Sequence, residues 1–201
     1  LPGMQSAFID IGLERAAFIH IADLRENRGE RSQGLTPTPI EKLLFEGQTI
    51  MVQVVKDPLG TKGARLSTQI SMAGRMLVYL PHDPHIGISQ KIDSESERIQ
   101  LRERVQALMP AEEKGGFIVR TQAEGANDEE LTADLEYLRK LWASVQAAAR
   151  TQPAPALLHQ DLTLAQRVLR DMVGPGTGTI LVDSRTTSAA MLEWARIYTC
   201  L

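Results

Sequence analysis

Residues 49–70, TIMVQVVKDPLGTKGARLSTQI, set the architecture of the first third of the chain. Thr49 to Val55 is dense in β-branched residues and reads as a strand. Asp57-Pro58-Leu59-Gly60-Thr61-Lys62-Gly63 then supplies turn chemistry, and Ala64 to Ile70 reads as the returning strand. Working outward, Gln5 to Asp10 and Ala17 to Ile21 form a similar pair around Gly12 and the polar Glu14-Arg15 step, which predicts a hairpin. Ile40 to Glu46 reads as a short helical turn. Arg25 to Thr38, rich in Arg, Glu, Gly, Ser and Pro, reads as an exposed, mobile loop. Short strands at this spacing predict a small barrel.

Beyond residue 75 the pattern changes. Met76 to Leu80 is one more apolar strand stopped by Pro81, and His82 to Gly87 reads as a loop. Ser94 and Glu97 form a capping-box signature ahead of a helix with Leu101, Val105 and Leu108 on one side. Gly115-Gly116 precedes a strand to Arg120. The longest helix runs from about Asp128 to Arg150, with Leu131, Leu135, Leu138, Trp142 and Val145 on one face. After Pro153-Ala154-Pro155, Leu162 to Val173 reads as a helix, Thr179 to Val182 as a strand and Ser188 to Tyr198 as a helix. The fold class is therefore α+β.

Composition removes several functional classes. At 43% hydrophobic and 23% charged over 201 residues, the chain buries a core, so wholesale disorder is excluded. No apolar run reaches the roughly 18 residues of a membrane span. The single Cys200 forms no internal disulfide, in keeping with a reducing, cytoplasmic setting. The formal charge of −3 excludes a globally basic nucleic-acid binder, so any such contact is local. Residues 51–80 supply the place, with Lys56, Lys62, Arg65 and Arg75 against one anion, Asp57. The sequence also opens on Leu1 inside a strand-like run, which predicts a piece of a longer chain.

Two groups of residues invite a chemical reading. Phe8 and Phe18 fall on the two hairpin strands, and Lys62 lies in the glycine-bounded turn. Exposed rings beside a basic loop are how OB-type barrels hold single-stranded nucleic acid. The competing account places both rings in the core and leaves Lys62 a solvated turn residue. Arg120 and Thr121 end a strand, where a guanidinium fork and a hydroxyl suit a terminal phosphomonoester, or else form an ordinary surface pair. Gly74 and Arg75 offer close backbone approach or merely a turn. The acidic runs 128–130 and 95–103 suit helix capping and solvation. Asp10 and Asp183 stand alone, and no nucleophile elbow is present, so no catalytic centre is visible.

Taken in order, AFIDIGLERAAFIH (7–20), EGQTIMVQVVKDPLGTKGARLST (46–68), GISQKI (87–92), GGFIVRTQAEGA (115–126), AQRVLRD (165–171) and ILVDSR (180–185) resemble the ribonuclease E/G family, nearer its G-type members in DPLGTKGARL. The resemblance implies an OB-type S1 domain lacking its first strand over 1–72. It implies a 5′-sensor subdomain over 73–159 and the second half of an RNase H-like subdomain over 160–201. By the same resemblance Phe8, Phe18 and Lys62 contact single-stranded RNA. Arg120 and Thr121 bind a 5′-monophosphate, and Gly74 and Val78 touch the terminal nucleotide.

The resemblance further implies a parent that is a Mg²⁺-dependent endoribonuclease cutting single-stranded, AU-rich RNA in RNA processing and mRNA decay. Its Mg²⁺-binding aspartates and the cysteines of an inter-subunit Zn²⁺ site that builds a homo-oligomer are expected beyond residue 201. The present residues are then expected to bind and sense, not to cut, with no cofactor of their own. One departure stands out. Gln90 replaces an arginine of the E-type members, leaving Lys91 as the cation there. A non-catalytic S1-type RNA-binding module in translation or transcript protection is the alternative reading, and a purely structural assembly piece is another.

Overall fold

The computed structural model describes residues 1–24, 38–174 and 176–198, and within it the chain divides into two units. The first comprises Leu1–Ser71 with Val145–Leu158, the second Met72–Ser144 with His159–Leu201. Most of the stretch read as a mobile loop, residues 25–37, lies outside the described residues.

In the first unit β1 (Ser6–Ile9), β2 (Ala17–His20), β3 (Gln53–Lys56) and β4 (Arg65–Ser67) form one sheet, in the order β1-β2-β4-β3, with α1 (Ile40–Leu43) inserted between β2 and β3. The β1/β2 and β3/β4 pairs are antiparallel, and β2 joins β4 in parallel. Side chains alternate across the sheet as a period of two requires. Ala17, Ile19 and Leu66 face inward with Ile21, Leu24, Ile40 and Ala64, and Ala7, Ile9 and Val52 pack against them. Each fully buried Ile or Leu contributes about 1.5–3 kcal/mol.

Several expectations change in this unit. The described strands form an open sheet and not a closed barrel, with β1 and β3 as its edges. The strand read over 49–55 is confined to Gln53–Lys56, and that over 64–70 to Arg65–Ser67. β3 also carries a bulge. Val54 opposes Leu66, but Lys56 and not Val55 opposes Arg65. Gly63 answers a different constraint, since a Cβ there would lie 2.0 Å from the Ala16 carbonyl oxygen. Only glycine lets the end of the turn approach β2 this closely.

The second unit begins with β5 (Met72–Ala73), β6 (Leu77–Leu80) and β7 (Ile86–Ile88), and continues through α2 (Glu95–Leu108) to β8 (Gly116–Val119). Its sheet runs β5-β6-β8-β7, with β7 parallel to β8. Helices α3 (Asp128–Thr151), whose residues from Val145 on belong to the first unit, α4 (Leu164–Met172) and α5 (Arg185–Tyr198) follow. The Ser94 side chain caps α2 by accepting from the Glu97 amide. Leu77, Phe117, Val119, Leu101, Val105, Leu131 and Leu138 are fully buried, as the helical spacing predicts for α2 and α3. The stretch 82–87 read as a loop contains the start of β7. The segment 179–182 read as a strand is not one, and Leu181 is 92% exposed. Its β-branched content finds no neighbouring strand among the described residues to satisfy its backbone.

Two buried carboxylates tie this unit together. Glu113 accepts from the Tyr79 hydroxyl at 2.7 Å, the Gly115 amide at 2.9 Å and Arg139 Nε at 3.0 Å. Burial pushes its carboxyl up, but these three donors outweigh it and hold the group below the ordinary glutamate value of 4.5. Asp134, on α3, accepts from three successive amides, Arg75, Met76 and Leu77, each at 2.8 Å. Burial raises its carboxyl, and the three amides and Arg170 pull against that. The approach requires a glycine, because a Cβ on Gly74 would lie 2.6 Å from both Asp134 oxygens.

Gly74→Ala is expected to cost about 1–3 kcal/mol by overpacking, and Asp134→Ala about 3 kcal/mol by stripping three amides of their acceptor. Because the alanine at 74 clashes with the very carboxylate the second change removes, the double variant should lose less than the two singles together. Urea unfolding showing simple additivity would contradict this. Glu113 titrates lower when folded than unfolded, so its stabilisation is fully present above the unfolded value and fades as pH falls through the folded one. The stability gap between the unaltered protein and Glu113→Gln should therefore narrow as pH drops below about 4. A pH series of melts checks it.

Candidate nucleic-acid interface

The outer face of the first sheet carries one transverse row. Phe8 opposes Phe18, Phe18 sits beside Arg65, and Arg65 opposes Lys56. The row thus crosses all four strands, two rings followed by two cations. Phe8 is 63% exposed, which removes the account that buries both rings, while Phe18 is half-buried. Their centroids stand 6.2 Å apart, edge to face. The arrangement follows from strand parity, since Ala7, Ile9, Ala17 and Ile19 claim the core and leave residues 8 and 18 outside.

Arg65 is held in place by Asp23, with Nε 3.1 Å from Oδ2 and Nη2 3.2 Å from Oδ1. Lys62 lies in the β3–β4 connection, where Leu59 and Lys62 exchange backbone hydrogen bonds of 3.1 and 3.0 Å around Gly60-Thr61. The Arg15 guanidinium donates to the Gly60 carbonyl and ties the β1–β2 connection to that turn. Lys62 is exposed and makes no ion pair among the described residues. Sequence reasoning counted Lys56 and Arg65 as charge but did not place them with the rings. The bulge that pairs Lys56 with Arg65 has no reliable signature in the sequence.

In the second unit Arg120 follows β8, and its amide donates to the Met76 carbonyl at 2.8 Å. Its guanidinium donates through Nη1 to the carbonyl oxygens of Gly74 at 2.5 Å and Arg75 at 3.0 Å. Nε and Nη2 make no hydrogen bond among the described residues. The structure therefore brings Arg120 and Gly74 together. Thr121 opens a short 3₁₀ turn, Thr121–Ala123, and its hydroxyl lies 3.4 Å from the Gln122 side chain, a contact at the edge of hydrogen bonding. No hydrogen bond links its side chain to the Arg120 guanidinium.

Val78 is placed by the sheet. Ala73 opposes Val78, Val78 opposes Ile118, and Ile118 opposes Gly87. These form an apolar strip on the face opposite the buried Tyr79, Phe117 and Val119, starting beside the Gly74 turn. Lys91 lies just past β7, its amide 3.3 Å from the Ser89 hydroxyl. Among the described residues no three His, Cys, Asp or Glu side chains converge, so they offer Mg²⁺ or Zn²⁺ no donor set. No described helix is long and apolar enough to cross a membrane.

Comparisons with known proteins identify the family. The Ribonuclease E/G family matches residues 71–199. Ribonuclease G of Escherichia coli (strain K12) is 46% identical over 202 residues, covering 98% of this chain and 41% of that protein. Ribonuclease G of Haemophilus influenzae is 46% identical over 96% of this chain and 40% of its own length. Ribonuclease E of a Nostoc species is 44% identical over 92% and 26% respectively. The chain spans about two fifths of the length of the ribonuclease G relatives it matches. With a family match over most of its length and near-complete coverage by these relatives, the chain belongs to the ribonuclease E/G family.

Proposed function

We propose that this chain is the RNA-holding and end-reading portion of an endoribonuclease that acts on single-stranded, AU-rich RNA. The observation that carries the proposal is the exposed row Phe8, Phe18, Arg65 and Lys56 in one register. Two rings give bases a stacking surface, and two cations at the other end of the row meet the phosphates that alternate with them. Lys62, on its tight turn, extends that positive end. In this reading residues 1–72 act as an S1-type domain, 73–159 as the 5′-sensor part and 160–201 as a piece of an RNase H-like subdomain.

Arg120 supplies the end recognition. One nitrogen is anchored on two carbonyls, which fixes the plane of the guanidinium and leaves Nε and Nη2 to meet phosphate oxygens. Thr121 adds its hydroxyl, since its contact to Gln122 is weak enough to exchange. The strip of Ala73, Val78 and Ile118 beside the Gly74 turn gives the terminal nucleoside an apolar floor. A 5′-hydroxyl presents nothing for the guanidinium to clasp, so preference for a 5′-monophosphate is a difference in pairing.

The reading gives these residues binding and discrimination, and assigns the breaking of the phosphodiester bond to another part of the family enzyme. Mg²⁺, when bound elsewhere in the family enzyme, supplies the activated water. Assembly into a homo-oligomer around Zn²⁺, and work in the cytoplasm on rRNA, tRNA and mRNA, belong to the same proposal.

Phe8→Ala should weaken binding of single-stranded RNA by about 1–3 kcal/mol, equally for phosphorylated and unphosphorylated 5′ ends. Lys62→Ala should lower the slope of log affinity against log salt by about one at most. Filter binding across ionic strength reads both. Arg120→Lys should remove the advantage of 5′-monophosphorylated over 5′-hydroxyl RNA, a loss on the order of 30-fold to 150-fold for a charged, forked contact. Relative cleavage rates of the two RNAs by the full-length protein decide that point, and an unchanged ratio refutes the end-reading role.

A further inference from the structure

The Gly74 turn is gripped by two arginines, not one. The Ala73 carbonyl accepts from Arg170 Nη1 at 2.8 Å, and the next two carbonyls, Gly74 and Arg75, accept from Arg120 Nη1. Arg170 uses its other edge on its own neighbour, with Nε 2.7 Å from Asp171 Oδ1 and Nη2 3.0 Å from Oδ2. The shared grip on three consecutive carbonyls places the Asp171 carboxylate near enough to feel the charges of Arg120 and of Arg75, which emerges from the same turn. We propose that Asp171 sets the charge selectivity of the Arg120 site, favouring a 5′-terminal monophosphate over a triphosphate. The inference rests on reading Arg120 as the contact to the terminal phosphate.

Asp171 stands where a helix alone would not put it. It lies in the last turn of α4, the end at which the macrodipole disfavours an anion. Its side chain is 38% exposed, against 11% for Arg170, so it faces whatever approaches from solvent. Burial pushes its carboxyl up, but Arg170 and then the charges of Arg120 and Arg75 hold it below the ordinary aspartate range. It is ionised at neutral pH and electrostatically part of the Arg120 site.

Charge balance then discriminates between ligands. Arg75, Arg120 and Arg170 face two carboxylates, Asp171 at the surface and Asp134 buried behind the turn, where it also feels Arg170. The cluster is positive, but modestly. Three cations against two anions leave a surplus of one, which a terminal monophosphate, with its roughly 1.5 to 2 negative charges, already more than offsets. A triphosphate brings further charge with no cation left to meet it, and Asp171 repels the excess. Rejection by a fixed like charge is a usual route to selectivity where the attractive contacts are shared.

The test compares three RNA decamers of one sequence, ending in a 5′-hydroxyl, a 5′-monophosphate and a 5′-triphosphate, by equilibrium binding to the full-length protein. The unaltered protein should prefer the monophosphate to both others. Asp171→Asn should tighten triphosphate binding about tenfold relative to monophosphate, as expected for one like charge removed from a partly exposed site. Asp171→Glu, which restores the charge, should restore the discrimination. A triphosphate-to-monophosphate ratio unmoved by Asp171→Asn, in a protein that still prefers monophosphate to hydroxyl, overturns this inference and leaves the end-reading proposal standing. Loss of the monophosphate preference in both Asp171 variants shows a role in shape alone and overturns it too. An unaltered protein that binds the hydroxyl and monophosphate ends equally overturns both proposals.

Discussion

One carboxylate holds the turn against which the Arg120 and Arg170 guanidinium groups of the second unit are placed. Asp134 reaches from α3 to three consecutive amides, and in doing so uses donors that a tight β5–β6 connection leaves without strand partners. A buried amide without an acceptor costs about 1–3 kcal/mol, so the turn has one geometry in which all three are satisfied. With the amides drawn to one side, the carbonyls of Ala73, Gly74 and Arg75 point to guanidinium groups. The polarity of the turn links packing to the proposed recognition. Its amides face a buried anion, and its carbonyls orient two guanidinium groups, the arrangement on which the proposed recognition of an external anion rests.

The first unit reaches its surface by a different route. There the ordering agent is alternation across a half-buried sheet, which exposes every second side chain whether or not it is useful. Packing of Ala17, Ile19 and Leu66 leaves Phe18 and Arg65 on the far side with no freedom to choose. Alternation alone does not account for Lys56. Along β3, Val54 and Lys56 have the same parity, yet Val54 opposes the buried Leu66 and Lys56 opposes the exposed Arg65. The extra residue at Val55 makes the difference, and the row of rings and cations is the product of a regular sheet plus one irregularity.

This contrast explains what was legible in the sequence. The period of α3 places Leu131, Leu135, Leu138, Trp142 and Val145 on one face, and all five are buried, because a helix's burial is written in local spacing. The β1/β2 hairpin is equally local. β7 was not readable, since three residues around Gly87 acquire strand geometry only by lying parallel to β8, more than twenty residues later. The opposite error arose at Ile180 and Leu181, where β-branched, apolar content suggests a strand but no described neighbour completes one. Among site residues, Phe8, Phe18 and Arg120 carried chemical hints in their own identity. Asp134 did not, because an aspartate inside a charged helix looks like any solvated position. Asp171 was hidden likewise. Its meaning depends on which backbone Arg170 grips.

In the proposed reading, the roles of the lysines of the first unit and of Arg120 in the second follow from the shape of their charges. Lys56 and Lys62 sit on exposed strand and turn, where a hydrated point charge on a flexible stem would follow a mobile polyanion without fixing its orientation. On that reading Arg120 has the harder task of holding its own position while meeting a ligand of defined geometry. A planar group with five donors divides that work, with one nitrogen bonded to the protein and the rest left for the ligand. An ammonium at the same place has three donors at one atom, and those spent on the Gly74 and Arg75 carbonyls are taken from the ligand. For a chain with a net charge of −3, such placement matters more than abundance, because a few oriented guanidinium groups do what a diffuse excess of positive charge would do without discrimination.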